Sequence, residues 1–113
     1  MIGSPRYRTH TCAGAAAAAG ERIRVAGWVH RRRDHGGVVF IDLRDRSGIL
    51  QLVFHPDAAE AHAAAGALSP EDVVTAEGEV VRRSPETVNP ELPTGEVELR
   101  VDGLEILSEA DPL

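Results

Sequence analysis

The stretch that decides the fold runs from residue 27 to residue 45 and reads Gly27-Trp28-Val29-His30-Arg31-Arg32-Arg33-Asp34-His35-Gly36-Gly37-Val38-Val39-Phe40-Ile41-Asp42-Leu43-Arg44-Asp45. An apolar strand leads into three consecutive arginines, the chain turns at a Gly-Gly pair, and a second strand of alternating polarity follows. If Ile41 and Leu43 enter the core, Phe40 must point outward. Cationic side chains beside an aromatic ring on a strand are typical of proteins that bind single-stranded nucleic acid, because arginine attracts phosphate and the ring stacks on a base.

Outward from this stretch, alternation of apolar and polar residues predicts five strands in all. We place them at residues 21–33, 38–46, 48–55, 73–83 and 96–107. A tight turn at Arg46-Ser47-Gly48 joins the second strand to the third, and a loop at Ser84–Gly95 joins the fourth to the fifth. Gly27 interrupts the first strand, where a β-bulge or a sharp bend would fit.

Two alanine-rich segments predict helices. Ala13–Ala19 is long enough for about two turns before Gly20, and Ala58–Ala65 follows a helix-start signature made by Asp57 and Glu60. Three meandering strands, a helix and two further strands are the order of the OB-fold, a five-stranded Greek-key barrel. We therefore predict an all-β OB-fold with a helix between strands three and four and a short N-terminal helix. An SH3-like barrel is the main alternative, but the position of the second helix favours the OB-fold.

The length of the chain sets limits on its organisation. Its 113 residues suffice for one domain, 1–113, but not for a core plus a separate catalytic domain. Residues 1–12 are expected to form an extended leader. No apolar run approaches the roughly 20 residues of a membrane-spanning helix, so no membrane partner is expected. The single cysteine, Cys12, cannot form an internal disulfide, which fits a reducing cytoplasm.

The charge of the chain is unevenly distributed. The formal net charge is −6. Residues 1–46 contain nine arginines and four acidic residues, a net charge of +5, whereas residues 47–113 contain three arginines and fourteen acidic residues, a net charge of −11. This asymmetry predicts a locally positive face on an acidic body, which can orient a polyanion. An ordinary solvated surface with uneven charge is the alternative.

The OB-fold frame assigns positions to candidate binding residues. Ligands lie across strands two and three of such a barrel, between the loop joining strands one and two and the loop joining strands four and five. In this chain the frame places Arg31, Arg33 and His35 at the first loop, Phe40, Asp42, Arg44 and Gln51 on the strand face, and Thr87 and Asn89 at the second loop. Arg32 should point the other way. The amide of Gln51 can bond the edge of an unpaired base. The alternatives to these binding roles are that Phe40 packs under a loop and that Gln51 is an ordinary solvated strand residue.

Other chemistries lack a sequence signal. The five histidines, His10, His30, His35, His55 and His62, show no metal-site spacing, and one cysteine makes a zinc site improbable. Neither a glycine-rich phosphate loop nor a nucleophile elbow occurs. Asp42 and Asp45 are expected to hold Arg44, Arg46 or backbone amides rather than to act as a carboxylate pair. We expect no catalytic residue, no metal and no cofactor in this domain.

Several segments together resemble the N-terminal anticodon-binding domain of bacterial aspartyl-tRNA synthetases. They are Gly27-Trp28-Val29-His30-Arg31-Arg32-Arg33-Asp34, Phe40-Ile41-Asp42-Leu43-Arg44-Asp45, Gly48-Ile49-Leu50-Gln51, Asn89-Pro90 and Thr94-Gly95-Glu96-Val97-Glu98. The likeness covers nearly all of residues 6–112. It implies binding of the tRNA anticodon loop, with Phe40 stacked on the central uridine and Gln51 and Arg33 reading its edge. It also implies that Glu98 accepts hydrogen bonds from the first-position guanine, and that Arg31, Arg83 and Asn89 lie near the third base or the loop backbone.

Two positions depart from the commonest pattern of that family. Many members that accept only aspartate tRNA have leucine at the position of His35 and asparagine near Thr87. The chain is similar here to members that also charge asparagine tRNA, and we hypothesise a relaxed reading of the third anticodon base.

Two alternative functions of the domain stay open. One is a general single-strand binder or free-standing paralogue, and the other is a protein-interaction barrel that uses the acidic strands.

The resemblance also implies a larger protein. The family's catalytic domain, which binds ATP and Mg, has no counterpart in residues 1–113, so this domain should bind tRNA and catalyse nothing by itself. Residues 108–113 resemble the start of the family's hinge. Full-length members dimerise largely through the catalytic region, so we expect a homodimeric parent enzyme and a monomeric isolated domain.

Overall fold

The computed structural model describes residues 8–92 and 94–108, and these form a closed five-stranded barrel. The strands are β1 (Arg22–His35), β2 (Val38–Asp45), β3 (Gly48–Phe54), β4 (Val73–Arg82) and β5 (Val97–Ser108). Around the barrel they follow the order β1-β2-β3-β5-β4. One helix, α1 (Ala59–Ala65), lies between β3 and β4. This architecture confirms the predicted OB-fold.

The ends of the chain lie largely outside this description. The expected leader at 1–12 is described only from residue 8, where the amides of Thr9 and His10 donate to the Arg24 carbonyl at 2.8 and 3.2 Å. The expected hinge at 108–113 falls, beyond residue 108, outside the described residues. Among the described residues, no helix has both the length and the apolar composition that crossing a membrane requires.

Strand β1 is long because it belongs to both sides of the barrel. It pairs antiparallel with β4 from Arg22 to Trp28 and with β2 from Trp28 to His35. The predicted bulge at Gly27 is wrong, since the register shift against β2 falls between Val29 and Arg31. Gly27 serves a close approach instead: a Cβ atom there would lie 2.3 Å from the carbonyl oxygen of Arg44.

The core follows the predicted alternation. One face of each meander strand is fully buried, with Val29, Ile41, Leu43, Leu50, Leu52 and Phe54 at 0% exposure. Each such side chain contributes about 1.5–3 kcal/mol of transfer free energy. Because side chains alternate across a strand, this burial directs the intervening residues of β2 and β3 to the outside of the barrel.

Both predicted helices differ in detail from the structure. The N-terminal helix is a 3₁₀ helix, Ala13–Ala17, shorter than the predicted Ala13–Ala19, and Ala15 packs into the core. Helix α1 has Ala58 at its N-cap with no side-chain capping bond, so the predicted helix-start signature at Asp57 is wrong. The Asp57 carboxylate lies instead 3.8 Å from the Arg100 guanidinium.

The two loops that flank the outer face have defined shapes. β1 continues two residues beyond its predicted end, and Gly36 and Gly37 join it to β2 with φ values of 60° and 84°. Glycine adopts such values more readily than any other residue, which suits a two-residue hairpin turn. The β4–β5 loop contains a short 3₁₀ helix, Pro85–Thr87. A Cβ on Gly95 would lie 1.7 Å from the Asn89 carbonyl oxygen, so a glycine is required there.

Candidate nucleic-acid interface

Four neighbouring strands bring a set of outward side chains together. Arg33 is paired with Phe40 across β1 and β2, and Asp42 is paired with Gln51 across β2 and β3. The parallel pairing of β3 with β5 places Glu98 beside Gln51. We call these five residues, Arg33, Phe40, Asp42, Gln51 and Glu98, the central face. It lies on the side of β1, β2, β3 and β5 opposite to the core.

The ring of Phe40 faces outward on the central face. It stays partly exposed and is not a member of the core cluster. The guanidinium carbon of Arg33 lies 5.8 Å from the ring centroid, within the range of a cation–π contact. The described contacts therefore leave an aromatic surface accessible beside a cation.

Gln51 is the centre of a hydrogen-bonded chain. Its Oε1 accepts a bond from Nη2 of Arg33 at 2.9 Å, and its Nε2 donates to Oε1 of Glu98 at 3.0 Å. Because arginine only donates and a carboxylate only accepts, these two neighbours fix which way the amide points. Gln51 is 6% exposed, so the reading of this residue as an ordinary solvated side chain is wrong.

Asp42 belongs to this series of hydrogen-bonded side chains as well. Its Oδ1 accepts a hydrogen bond from Nη2 of Arg33 at 3.3 Å, so one guanidinium nitrogen contacts both Asp42 and Gln51. The sequence places Asp42 on the strand face and predicts that it holds Arg44, Arg46 or backbone amides, but its carboxylate bonds Arg33 instead. The two carboxylates of the central face hold Arg33 and Gln51 in place before any ligand arrives.

Arg83 connects the central face to the β4–β5 loop. Its Nε donates to the Val97 carbonyl and its Nη1 to the Thr87 carbonyl, each at 3.1 Å. Burial lowers the pKa of Arg83, and the carboxylates of Glu98 and Asp42 oppose that effect. The guanidinium therefore holds the loop and adds positive charge near the central face.

The side chains of Thr87 and Asn89 stabilise their own loop. Thr87 Oγ1 donates to the Ser84 carbonyl at 3.0 Å, and Asn89 Oδ1 accepts from the Glu91 amide at 3.0 Å. Neither side chain forms a described bond to the central face. The structure therefore places these two predicted site residues at the border of the face rather than within it.

Arg31 and His35 are exposed at the other border. Arg31 is paired with Asp42 across β1 and β2, and His35 is the last residue before the two-glycine turn. Within residues 8–92 and 94–108, neither side chain forms a hydrogen bond or an ion pair with another group. Arg32 points the other way, as predicted, and bonds Asp34 and the Gly66 carbonyl. Arg31 and His35 are therefore available to a ligand.

The described residues offer no alternative site for metal chemistry. No group of three or more His, Cys, Asp or Glu among them is arranged to hold a metal ion.

Cys12 is fully buried and near the Leu43 carbonyl, and burial together with the neighbouring Asp45 raises the pKa of its thiol. Such a thiol is unreactive. As predicted, Asp45 holds backbone amides: it accepts bonds from Cys12 and Ser47, both at 2.8 Å.

Comparison with known proteins agrees with this geometry. Residues 23–107, which include the whole central face, match the tRNA anti-codon family, described as an OB-fold nucleic acid binding domain. The chain belongs to this family. The outward face of β2 and β3, with the loops on either side of it, is where OB-folds bind oligonucleotides.

Individual members of the OB-fold nucleic acid binding domain family make the likeness more specific. An aspartate–tRNA(Asp/Asn) ligase of Parvibaculum lavamentivorans is 61% identical over 94 residues, which are 83% of this chain and 16% of that protein. The corresponding ligase of Rubrobacter xylanophilus is 54% identical over 106 residues, 93% of this chain and 18% of that protein. The predicted resemblance to bacterial aspartate–tRNA ligases is confirmed. The chain spans less than a fifth of the length of these curated relatives.

A solved structure shows the same barrel within another synthetase. The crystal structure of asparaginyl-tRNA synthetase from Pyrococcus horikoshii superposes with a TM-score of 0.74 at 27% identity. The match covers 91% of this chain and 24% of that one. The barrel is therefore shared between this chain and a segment of a much longer synthetase.

Proposed function

We propose that this domain binds the anticodon loop of a tRNA in the service of aspartate–tRNA ligation. The observation that carries the proposal is the central face, in which an accessible ring lies beside a pre-formed chain of donors and acceptors. Membership of the OB-fold nucleic acid binding domain family and the names of the most similar ligases support it. Single-stranded loops are the part of RNA whose unstacked bases can be stacked and read at their edges.

The middle base of the anticodon is proposed to stack on Phe40. A uridine placed there directs its edge toward Arg33 and Gln51, which lie on the adjacent strands. Uracil presents both a donor and acceptors, and the side chains supply both kinds of partner: Arg33 donates, and Gln51 retains one amide hydrogen and one lone pair beyond its described bonds. Stacking supplies affinity, and the edge contacts supply selectivity.

The first anticodon base is proposed to be a guanine read by Glu98. Guanine presents two adjacent donors on its pairing edge, and a carboxylate accepts such a pair well. Only one bond to Glu98 is described, from Gln51 to Oε1, so its carboxylate retains acceptor capacity. A side chain that only donates would not match guanine at this position, and a neutral amide would offer one acceptor oxygen instead of two.

The third anticodon base is proposed to be read loosely, so that asparagine tRNA is accepted as well. His35 is exposed at the two-glycine turn, and the Thr87 side chain is engaged with Ser84. The relatives at 61% and 54% identity are themselves aspartate–tRNA(Asp/Asn) ligases. Equal affinity for aspartate and asparagine anticodon stem-loops is the expected result, and a preference of about tenfold (about 1.4 kcal/mol) for the aspartate loop would contradict it.

The remaining functional proposals concern the parent protein. It would join aspartate to tRNA in the cytoplasm as a homodimer, with ATP and Mg bound in a separate catalytic domain. The 113-residue domain would contribute RNA contacts only and act as a monomer. Sedimentation of the isolated chain and an aspartylation assay of the same chain test these two statements.

A titration of RNA stem-loops tests the central proposal. The aspartate anticodon stem-loop is compared with a stem-loop of the same length and a scrambled loop, at several salt concentrations. A strong preference for the anticodon loop supports the proposal. Equal, salt-sensitive binding of both would identify a general single-strand binder. Absence of binding would favour a protein-interaction barrel.

A further inference from the structure

We infer that helix α1 positions the β1–β2 turn for RNA recognition, and that His62 is the residue through which it does so. The inference rests on the proposed function, because it assigns a role within the same binding site. It concerns residues 34–38, which we call the recognition turn. The turn includes His35 and directly follows Arg33.

The contact that carries this inference joins the helix to the tip of the turn. Nε2 of His62 lies 2.6 Å from the carbonyl oxygen of Gly37. A carbonyl can only accept, so Nε2 donates the hydrogen. The β1–β2 ladder ends at the pair His35 and Val38, so the Gly37 carbonyl lies beyond the last strand pair. His62 thus provides a tertiary partner for this carbonyl.

A second set of bonds joins the start of the turn to the end of the same helix. Nη1 of Arg32 donates to the Gly66 carbonyl at 2.8 Å and to the Leu68 carbonyl at 3.3 Å. The Nε and Nη2 atoms of Arg32 donate to the two oxygens of Asp34 at 3.1 and 3.0 Å. Both the entry and the tip of the recognition turn are therefore linked to α1 or to the residues directly after it.

The composition of the turn explains why such links matter. Gly36 and Gly37 both have positive φ and open space where a side chain would be, so no local packing restricts them. Glycine loses more conformational freedom on ordering than any other residue. A turn already ordered by α1 avoids that loss when RNA binds, which raises affinity without adding a contact to the RNA.

The first arm of the test measures turn order in the free 113-residue chain by NMR relaxation of the backbone amides of residues 34–38. His62→Ala is expected to increase their mobility. His62→Gln should restore order, because the glutamine amide reaches about as far as Nε2 and can donate. Ala63→Gly is the matched control, since it weakens the same helix and leaves the His62 bond intact. Unchanged mobility in His62→Ala, or equal mobility in His62→Ala and Ala63→Gly, would overturn the inference.

The second arm measures affinity for the aspartate anticodon stem-loop. Because His62→Ala loses one net hydrogen bond, we expect it to bind the stem-loop roughly 3- to 10-fold more weakly than wild type. His62→Gln should recover the wild-type affinity. Because His62 acts through the turn, the loss of affinity caused by His62→Ala should be smaller in a chain that already carries His35→Ala. The same loss should be unchanged in a chain that carries Phe40→Ala. Full additivity with His35→Ala would overturn the inference. A wild-type chain with no preference for the stem-loop would overturn the proposed function and the recognition role of His62 together, whereas the NMR arm would still report whether α1 orders the turn.

Discussion

The Nε2 atom of Gln51 lies 3.0 Å from Oε1 of Glu98, although the two residues are 47 positions apart in the chain. Only the parallel pairing of β3 with β5 brings them together. Gln51 is 6% exposed, so its amide has little access to water and depends on Arg33 and Glu98 as partners. A partly buried network of this kind is specific, because the buried amide at its centre must find a donor on one side and an acceptor on the other.

Exchanging the donor and the acceptor of this pair separates folding from recognition. Gln51→Glu removes the donor and places a carboxylate against Glu98, so we expect the free energy of unfolding to fall by about 1–3 kcal/mol. The double variant Gln51→Glu with Glu98→Gln restores a donor and an acceptor and should regain stability. It should still bind the stem-loop weakly, because the carboxylate at position 98 is lost. Urea unfolding and stem-loop titration measure the two effects, and full recovery of RNA affinity would contradict the role of Glu98.

The aromatic ring on β2 can be tested independently of the polar chain. Phe40→Ala should weaken stem-loop binding by about 1–3 kcal/mol, because base stacking is lost. Thermal stability should change little, since Phe40 is partly exposed and lies outside the core cluster. Phe40→Tyr keeps a ring and should bind as the wild type does, whereas Phe40→Leu should resemble the alanine variant. Equal affinities for the leucine and tyrosine variants would argue against stacking.

Local patterns predict the barrel well where one face of a strand is buried. In β2 and β3 the observed ends agree with the predicted ones within one residue. The errors have long-range causes. Gly27 is required by the Arg44 carbonyl, 17 positions away, rather than by a bulge in its own strand. Asp57 fits a capping pattern, but in the folded chain its carboxylate lies near Arg100.

The candidate site is likewise predictable where it depends on local alternation and unpredictable where it depends on long-range pairing. Alternation alone places Phe40 and Gln51 on the outer face, and the structure brings both together with Arg33. Glu98 looks like one more solvated acid on an acidic strand, and only the family resemblance identifies it. No periodicity encodes the parallel pairing of β3 with β5. The contact between His62 and Gly37 is similarly invisible in the sequence, because it joins a helix to a turn 25 positions away.

Arg31, at the border of the central face, should contribute to RNA binding through its charge. Arg31→Ala is expected to weaken binding of all single-stranded loops by a similar factor, because we expect Arg31 to contact the phosphate backbone, which is the same in every sequence. It should also reduce the slope of log affinity against log salt by about 0.7, the value for one phosphate contact on a single strand. Arg46→Ala is the matched control, since Arg46 is exposed at the β2–β3 turn, at the opposite end of β2. An unchanged salt slope in the Arg31 variant would contradict a phosphate contact.

Asp45 should govern the response of the barrel to acid. Burial by itself raises the pKa of Asp45, but hydrogen bonds from Ser47 and from the Cys12 amide outweigh it and hold the pKa below its usual value. The stability that Asp45 contributes is therefore present above its unfolded pKa, about 3.9, and is lost as the pH falls through the lower folded value. Asp45→Asn should lower the free energy of unfolding by about 1–3 kcal/mol at neutral pH.

The acid response of this variant distinguishes the hydrogen bonds of Asp45 from a general effect of lost charge. The difference between Asp45→Asn and wild type should shrink as the pH falls below the unfolded pKa and through the lower folded pKa, because the wild-type carboxyl then becomes protonated. Asp57→Asn is the control: its side chain is 73% exposed and its ion pair is 3.8 Å long, so its effect should stay within about 0.5 kcal/mol. Urea titrations across this pH range measure both variants. A difference for Asp45→Asn that does not change with pH would show that the carboxylate charge is not what holds the Cys12 and Ser47 amides.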